Sequence, residues 1–233
     1  MDNVIVEGLL EAVRLLVTLD SEVLNITWRT LQVSGTATLI SVLIGIPAGT
    51  ALALTRFFGR GFVVSVVNFG MGLPPVVVGL VTWLLLSRYG LLGVLGLLYT
   101  PTAMVIAQAV IAVPIVAGFS LAAVQSVSPK LRLQILSLGV TRFQYLLLLL
   151  WEARLGILAS VIAGFGGVIS EVGASMMVGG NVRGYTRVLT TATALEVSKG
   201  KFELATALSI ILLGLTFVIT AVLSSLQQRR RSS

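Results

Sequence analysis

Few residues in this chain could carry catalysis. Cysteine and histidine are absent, which excludes thiolate nucleophiles, imidazole bases and the usual zinc sites. The acids near the long apolar segments are Glu152 and Glu171, too far apart in sequence to form an evident acid–base dyad. No GxxxxGKS or GxxxxGKT sequence occurs, so the chain has no P-loop for ATP. We therefore predict no catalytic residue, no metal site and no cofactor held by the chain itself, and a membrane-embedded enzyme is the weaker alternative.

Cations in one polar segment could act on an anion. Asn181, Arg183 and Arg187 lie between two apolar segments, where positive charge would raise the local concentration of an incoming dianion. The alternative is that these side chains contact acidic groups of a partner protein. Both interpretations predict an exposed cationic surface.

The composition is that of an integral membrane protein. Hydrophobic residues make up 56% of the 233 residues, charged residues make up 11%, and the mean hydropathy is +1.03, far from a soluble domain. The net charge of +7 is concentrated at segment ends and in the final arginine run, which indicates membrane topology. We predict contact with the lipid bilayer and none with nucleic acid.

Five apolar runs are long enough to cross a bilayer, at about 20 residues each. They lie at residues 31–54, 62–86, 102–124, 145–169 and 204–226. Residues 1–30 are predicted to hold an interfacial helix, because Ile5 to Leu19 has acids on one face and apolar residues on the other. Residues 31–226 form the transmembrane domain, and residues 227–233 form a basic tail. Leu91 to Leu98 is too short to span, and its glycines predict a re-entrant segment or a surface turn.

Basic residues set the predicted orientation. Arg56 and Arg60 follow the first span, Lys130, Arg132 and Arg142 follow the third, and the arginine run follows the fifth. Cytoplasmic loops carry an excess of Lys and Arg, so these three clusters are assigned to the cytoplasm. The amino terminus, which lacks the basic start of a signal peptide, and the loop from Gly179 to Lys201 are then outside.

Prolines, small residues and one acid mark candidate pathway positions. Pro47, Pro114 and the pair Pro74 and Pro75 are predicted helix breaks, which are tolerated in a membrane where protein or water satisfies the freed backbone groups. The alternative is kinks for packing, and GIPAG is also a GxxxG helix contact. The candidate pathway and gate residues are Asn68, Pro74, Pro75, Ser160, Gly164, Gly167 and Glu171, together with the outer Asn181, Arg183 and Arg187.

Two interpretations of the fourth span stay open. Ser160, Gly164 and Gly167 recur on one helical face with Glu171, which favours close helix packing over a gate between two copies. A carboxylate in an anion pathway would repel its cargo, so Glu171 is predicted to have a structural role, paired with an arginine or capping backbone amides.

The segment SPKLRLQILSLGVTR, residues 128–142, predicts a short amphipathic helix beside the membrane. Ser128 is a favourable N-cap and Pro129 suits the first turn. Gly139 is predicted to end the helix in a left-handed conformation, and Thr141 with Gln144 is predicted to cap the next one, the fourth span. Leu131, Ile135 and Leu138 share one face. An ordinary interfacial connector is the simplest interpretation.

This segment resembles the cytoplasmic EAA loop of ABC importer permeases, with Ser137, Leu138 and Gly139 at its core. Leu133, Gln134 and Ile135 replace its usual glutamate and alanines. The later run SEVGASMMVGGNVRGYTRVLTTA resembles the oxyanion branch of that family and is most similar to tungstate permeases. The resemblance covers essentially the whole chain, and it implies an all-α fold like that of type I ABC importer permeases.

The resemblance also implies a function and partners. The expected function is ATP-driven import of an oxyanion, most simply tungstate, with molybdate, sulfate or phosphate as alternatives. The expected complex contains two copies of this chain, an external oxyanion-binding protein, and two cytoplasmic ATPase subunits that carry ATP and Mg²⁺, in a bacterial or archaeal cytoplasmic membrane. The residues expected to couple the chain to the ATPase are Ser128, Pro129, Lys130, Leu131, Arg132, Ile135, Leu138, Gly139 and Arg142.

Overall fold

A computed structural model describes residues 4–229, and within that range the chain is helical with no strand. The all-α fold predicted from the sequence is confirmed. The eleven helices described are α1 (Val4–Val17), α2 (Ser21–Leu54), α3 (Arg60–Met71), α4 (Pro75–Leu86), α5 (Pro101–Gln125), α6 (Pro129–Ser137), α7 (Arg142–Glu152), α8 (Arg154–Ile169), α9 (Gly173–Gly179), α10 (Leu189–Ser198) and α11 (Phe202–Arg229).

The predicted spans correspond to three single helices and two bent pairs. Among the described residues, α2, α5 and α11 are long and apolar enough to cross a membrane singly. α3 with α4, and α7 with α8, bring the number to five if each pair is one span. The bends are 100° and 68° respectively. The runs predicted at 62–86 and 145–169 are therefore not single straight helices.

The first span starts earlier than predicted. The side chain of Asp20 accepts hydrogen bonds from the backbone N–H groups of Glu22 and Val23, 3.0 Å each, so α2 begins at Ser21 and the boundary at residue 30 falls inside a helix. Polar residues in the first turns lower the hydropathy without preventing a helix. α1 packs against α11, where a Cβ on Gly8 would lie 2.5 Å from Thr206 Cγ2.

Small residues allow α2 and α5 to approach closely. A Cβ at Gly45 would lie 2.9 Å from Val116 Cβ, and one at Gly49 would lie 2.3 Å from Ala117 O and 2.9 Å from Leu121 N. Any larger side chain at Gly49 would clash with the backbone of α5. The GxxxG contact expected from GIPAG is therefore present, and the order of the contacts makes α2 and α5 parallel.

Two of the four prolines predicted as breaks do not interrupt their helices. α2 continues through Pro47 and α5 continues through Pro114, so that part of the prediction is wrong. Proline removes one backbone hydrogen bond, and in α2 the close contacts of Gly45 and Gly49 with α5 on either side of Pro47 help to offset that loss. Pro114 itself packs closely on α3, since a Cβ at Gly70 would lie 2.7 Å from Pro114 Cβ.

The first two basic clusters predicted to share a side lie at one end of the bundle. α8 runs antiparallel to α5, because Gly156 packs on Ala123 and Gly164 on Val116. The ends of α2 and α5 meet there, with Arg132 on α6, and this is called the Arg132 end. The start of α2 and the segment after α9 meet at the opposite end, called the Glu22 end. The tail residues 230–233 lie outside the described residues.

The predicted outer loop at residues 179–201 is mostly ordered structure. It contains α10, whose Leu189, Thr190, Thr191 and Ala192 are buried. Thr30 Oγ1 on α2 accepts a hydrogen bond of 2.9 Å from Leu189 N. The polar residues scattered through this segment predicted a loop. In the structure its threonines form local hydrogen bonds and are buried inside the bundle.

Candidate coupling and pathway sites

The predicted caps of α6 are present. Ser128 Oγ accepts from Leu131 N at 3.3 Å, and Gly139 has φ of +71°, the left-handed conformation that glycine adopts without strain. Thr141 Oγ1 accepts from Gln144 N at 3.3 Å, while Gln144 Oε1 accepts from Thr141 N at 2.9 Å. Local sequence alone thus determines where α6 begins and where α7 starts.

The face of α6 predicted to meet a partner is turned inward. Ile135 is only 8% exposed, and Leu131 packs against the buried cluster formed by α5, α7 and the bend before α8. The prediction that Leu131 and Ile135 project outward is therefore wrong, because the chain's own helices cover them. Leu133, Leu136 and Leu138 are the exposed leucines of this segment. Leu133 and Leu136, one helical turn apart, are called the outward leucine face.

Arg132 holds α6 against the end of α5. Its guanidinium donates to Val127 O, just beyond α5, at 3.2 Å and to Val124 O in the last turn of α5 at 2.5 Å. Val124 O also accepts from Val127 N at 3.3 Å, so Arg132 adds a charged donor to carbonyls where α5 ends. Arg132 is one of the residues expected to couple the chain to the ATPase, but its guanidinium is directed to carbonyls of its own chain. Lys130 and Arg142 are exposed, as that expectation requires.

The connection from α6 to the fourth span is not one rigid helix. α7 ends at Glu152 and α8 begins at Arg154, with a bend of 68°. The Arg154 guanidinium lies over the Trp151 ring, 4.8 Å from its centroid, and donates to Trp151 O at 2.7 Å. The Arg154 side chain therefore hydrogen-bonds the Trp151 carbonyl at the bend between α7 and α8. The sequence pattern missed this bend because neither proline nor glycine marks it.

The bend between α3 and α4 coincides with the proline pair. Pro74 is extended, with φ −61° and ψ 124°, as expected for a residue that precedes proline, and Pro75 begins α4. α4 then packs on α9, where a Cβ at Gly79 would lie 2.7 Å from Ala174 Cα. Asn68 lies on an exposed position of α3. Whether Asn68 and the prolines line a pathway stays a prediction.

The small residues of α8 pack on α5 within the same chain. Ser160 Oγ is 3.0 Å from Ser120 Oγ. A Cβ at Gly164 would lie 2.6 Å from Val116 Cγ2, and one at Gly167 would lie 3.2 Å from Ile115 Cδ1. This arrangement favours the packing interpretation of these residues over a gate between copies.

Glu171 caps α9. It is 5% exposed, and its carboxylate accepts from Ala174 N at 2.8 Å and from Ser175 N at 2.9 Å. Its backbone carbonyl accepts from Thr190 Oγ1 at 3.1 Å. Of the two structural roles predicted, the structure has backbone capping, with no ion pair to Glu171 among the described residues.

The arginines at the Glu22 end are not free cations. Arg183 pairs with Glu22 through two hydrogen bonds, one of 2.9 Å from Nε, and Arg187 Nη1 lies 3.3 Å from Glu22 Oε1. The hydrogen bond and charge of Glu22 raise the pKa of Arg183. Asn181 has φ of +51° and donates to Thr191 O at 3.2 Å. The prediction brought these residues together correctly but missed Glu22.

Glu22, Arg183 and Arg187 border a cavity of mixed charge. Its volume is about 410 Å³. Apolar residues of α1, α2 and α11 line it together with charged residues of both signs. The charged residues are Asp20, Glu22, Glu196, Arg183, Arg187, Lys199 and Lys201. Asn181 lies outside this lining. The cavity offers donors to an anion, but its carboxylates offset most of the cationic charge.

A buried polar contact also escaped the sequence analysis. Gln108 on α5 is 2% exposed and donates to Ser175 Oγ at 3.2 Å, while its Oε1 has no hydrogen-bond partner among the described residues. A lone amide within an apolar span is the signal that could have found it. No group of acids among residues 4–229 is arranged to hold a metal ion.

Comparison with known proteins gives a consistent result. Residues 41–232 match the family described as binding-protein-dependent transport system inner membrane component. A probable anion ABC transporter permease protein of Haloferax volcanii is 43% identical over 203 residues, 85% of this chain and 88% of that protein. The tungstate uptake system permease protein TupB of Peptoclostridium acidaminophilum is 39% identical over 224 residues, 96% of this chain and 98% of that protein.

A solved structure has the same fold. A chain of the inward-facing MetNI methionine ABC transporter superposes with a TM-score of 0.74 at 20% identity, covering 91% of this chain and 97% of that one. At that identity the likeness concerns the fold. The predicted fold class and the resemblance stated from the sequence are both confirmed.

Proposed function

The chain belongs to the family of binding-protein-dependent transport system inner membrane components, and we propose that it is the permease subunit of an ATP-driven tungstate importer. The observation that carries this proposal is the 39% identity to a tungstate permease over 96% of the chain. Molybdate is the second candidate cargo, since the two dianions have the same charge and nearly the same size.

The proposed complex has two copies of this chain, two ATPase subunits and an external binding protein. ATP and Mg²⁺ belong to the ATPase. We assign the Arg132 end to the cytoplasm, with the carboxyl terminus there and the amino terminus outside, because Arg56, Arg60, Lys130, Arg132 and Arg142 gather at that end. The cavity at the Glu22 end then faces the external binding protein.

The outward leucine face is the surface proposed to dock on the ATPase. Leu133 is 67% exposed and Leu136 is 51% exposed, so a groove on a partner gains apolar burial by covering them. Leu131 and Ile135 instead hold α6 on its own bundle. Motion of the ATPase would therefore pass through α6 to α5 and α7, not along one rigid helix into α8.

Uptake into sealed vesicles tests the function. The purified complex with its ATPase and binding protein is expected to accumulate tungstate only with ATP, and sulfate is expected not to compete. Faster accumulation of molybdate at equal limiting concentration would reassign the cargo. ATP-independent accumulation, or none of any oxyanion, would contradict an importer.

Serine at both Leu133 and Leu136 tests the docking surface. Loss of two apolar contacts of about 1 to 2 kcal/mol each predicts at least tenfold weaker co-purification of the ATPase. Serine at Leu91 and Val94, which are even more exposed in the loop between α4 and α5, is the control and should retain the ATPase. Equal retention by both double variants would contradict docking through this face.

Cysteine labelling tests the assigned sidedness. Single cysteines at Ser126 and Asn181 are probed on intact cells with an impermeant thiol reagent. Labelling at position 181 alone is expected, and labelling at position 126 alone would reverse the orientation.

A further inference from the structure

A cavity lined by three arginines lies at the Arg132 end. Its volume is about 400 Å³, and Arg56, Arg60 and Arg132 line it together with Gln125 and the residues that end α2. No carboxylate lines it. Three guanidinium groups around one polar cavity repel one another unless an anion lies between them.

The protein leaves this charge unbalanced. Arg60 Nε donates to Leu52 O at 2.8 Å, and Arg132 donates to carbonyls at the end of α5. These carbonyls fix the side chains but carry no full negative charge. Among residues 4–229, neither of these arginines nor Arg56 forms an ion pair. Each guanidinium has further N–H groups that can donate to oxyanion oxygens.

The surroundings of the cavity suit a lipid. Phe57 and Phe58 follow Arg56 directly, and Phe62 lies in the first turn of α3, two residues after Arg60. All three rings are exposed, Phe58 completely. Aromatic rings beside cationic side chains occur where a chain lies at the boundary between acyl chains and headgroups. A lone tetrahedral oxyanion would leave most of 400 Å³ to water, whereas a phospholipid headgroup would fill it.

We propose that this cavity binds the phosphate of an anionic phospholipid, held by Arg56, Arg60 and Arg132. The bound headgroup links the α2–α3 loop to α6, so it stabilises α6 in the position that the ATPase must meet. The outward leucine face is not needed for this contact, since Arg132 is directed toward α5. With the sidedness proposed above, this lipid lies in the cytoplasmic leaflet. The contacts of the three arginines do not depend on that assignment.

Lipid retention measured by native mass spectrometry tests the proposal. The assembled complex is purified in detergent with a mixture of phosphatidylglycerol and phosphatidylcholine. At about 1 kcal/mol for each arginine near a lipid phosphate, Arg56→Gln is expected to weaken phosphatidylglycerol retention about fivefold. Arg56 makes no hydrogen bond within the described residues, so this change leaves the helix contacts intact. Arg56→Lys should retain the lipid.

Arg142→Gln is the matched control, because Arg142 lies at the same end but outside the cavity. Its retention of phosphatidylglycerol should equal that of the unmodified chain. Equal retention by Arg56→Gln, or equal loss by Arg142→Gln, would overturn the proposal. Loss of phosphatidylglycerol whenever the ATPase is bound would also overturn it, since the ATPase would then cover the cavity.

A second arm separates lipid from free anions. In nanodiscs of phosphatidylcholine alone, inorganic phosphate and tungstate are titrated against the complex. Binding of either ion by the unmodified chain but not by Arg56→Gln would assign the cavity to a free oxyanion and overturn the lipid proposal. Tungstate uptake and cysteine labelling are measured separately, so failure of lipid retention does not depend on the proposed cargo or orientation.

Discussion

Arginines gather at both ends of the bundle, but their partners differ. At the Glu22 end, Arg183 and Arg187 share one carboxylate, that of Glu22. At the Arg132 end, Arg60 and Arg132 donate to backbone carbonyls and keep their full charge. The ion pairs with Glu22 reduce the positive electrostatic field that an anion approaching that end would meet. The bonds to carbonyls leave the positive charge of Arg60 and Arg132 uncompensated at the ends of the helices. Counting charges along the sequence does not distinguish these two cases.

Removing the side chain of Arg132 should have the largest effect. Arg132→Ala loses two charged hydrogen bonds to the end of α5, together about 3 kcal/mol, so the bound position of α6 becomes about a hundredfold less populated. ATP-dependent tungstate uptake should fall at least tenfold while the protein still inserts and purifies.

Arg132→Lys is the control, because lysine keeps the charge and can still reach one carbonyl. It should retain an intermediate uptake rate. Uptake by Arg132→Ala at the unmodified rate would mean that the apolar packing of Ile135 alone holds α6, and the difference between the two ends would then have no consequence for coupling.

Removing the charge of Glu22 should have an intermediate effect. Arg187 is 14% exposed in its side chain, so Glu22→Gln leaves a largely buried cation without its ion pair. Because Glu22 is itself partly exposed, we expect a loss of about 1 to 2 kcal/mol in the free energy of unfolding. Thermal unfolding in detergent measures it.

Arg183→Gln is the companion variant at the same site. The Arg183 side chain is 73% exposed, so its loss should destabilise the protein less than Glu22→Gln does. Equal destabilisation by Glu22→Gln and Arg183→Gln would show that the ion pair of Glu22 with the largely buried Arg187 adds no stability.

Local signals explain why α6 could be predicted and the arginine partners could not. Ser128, Gly139 and Thr141 specify caps through neighbours three or four residues away, and all three act as predicted. Glu22 and Arg183 lie 161 residues apart, and no local pattern pairs them. Nonlocal partners of this kind require the packed structure.

The apolar pattern on α6 shows a second limit. Leu131 and Ile135 share a helical face, which predicts that something covers them but not whether it is a partner or the chain itself.

The bend at Ala153 shows a third limit of prediction from the sequence. Hydropathy gives the length of a span and not its direction, so α7 and α8 could not be separated without a proline or glycine signal.

The smallest expected effect concerns anion capture, and its sign distinguishes the variants. Arg183→Gln with Arg187→Gln removes two positive charges at the Glu22 end, whereas Glu22→Gln adds one net positive charge. At about 0.01 M salt, where screening extends to about 30 Å, the first change should slow uptake at limiting tungstate about two- to threefold and the second should quicken it by a similar factor.

At about 0.15 M salt the screening length is about 8 Å, so both differences should shrink. Initial rates are normalised to the amount of folded protein, which separates capture from the stability loss of Glu22→Gln. Arg88→Gln is the control, because Arg88 is exposed at the same end but outside the Glu22 cavity, and it should change the rate less than the double variant. Rates that fall in both Glu22→Gln and the double variant, at either salt concentration, would show that the cluster acts through its shape and not through its charge.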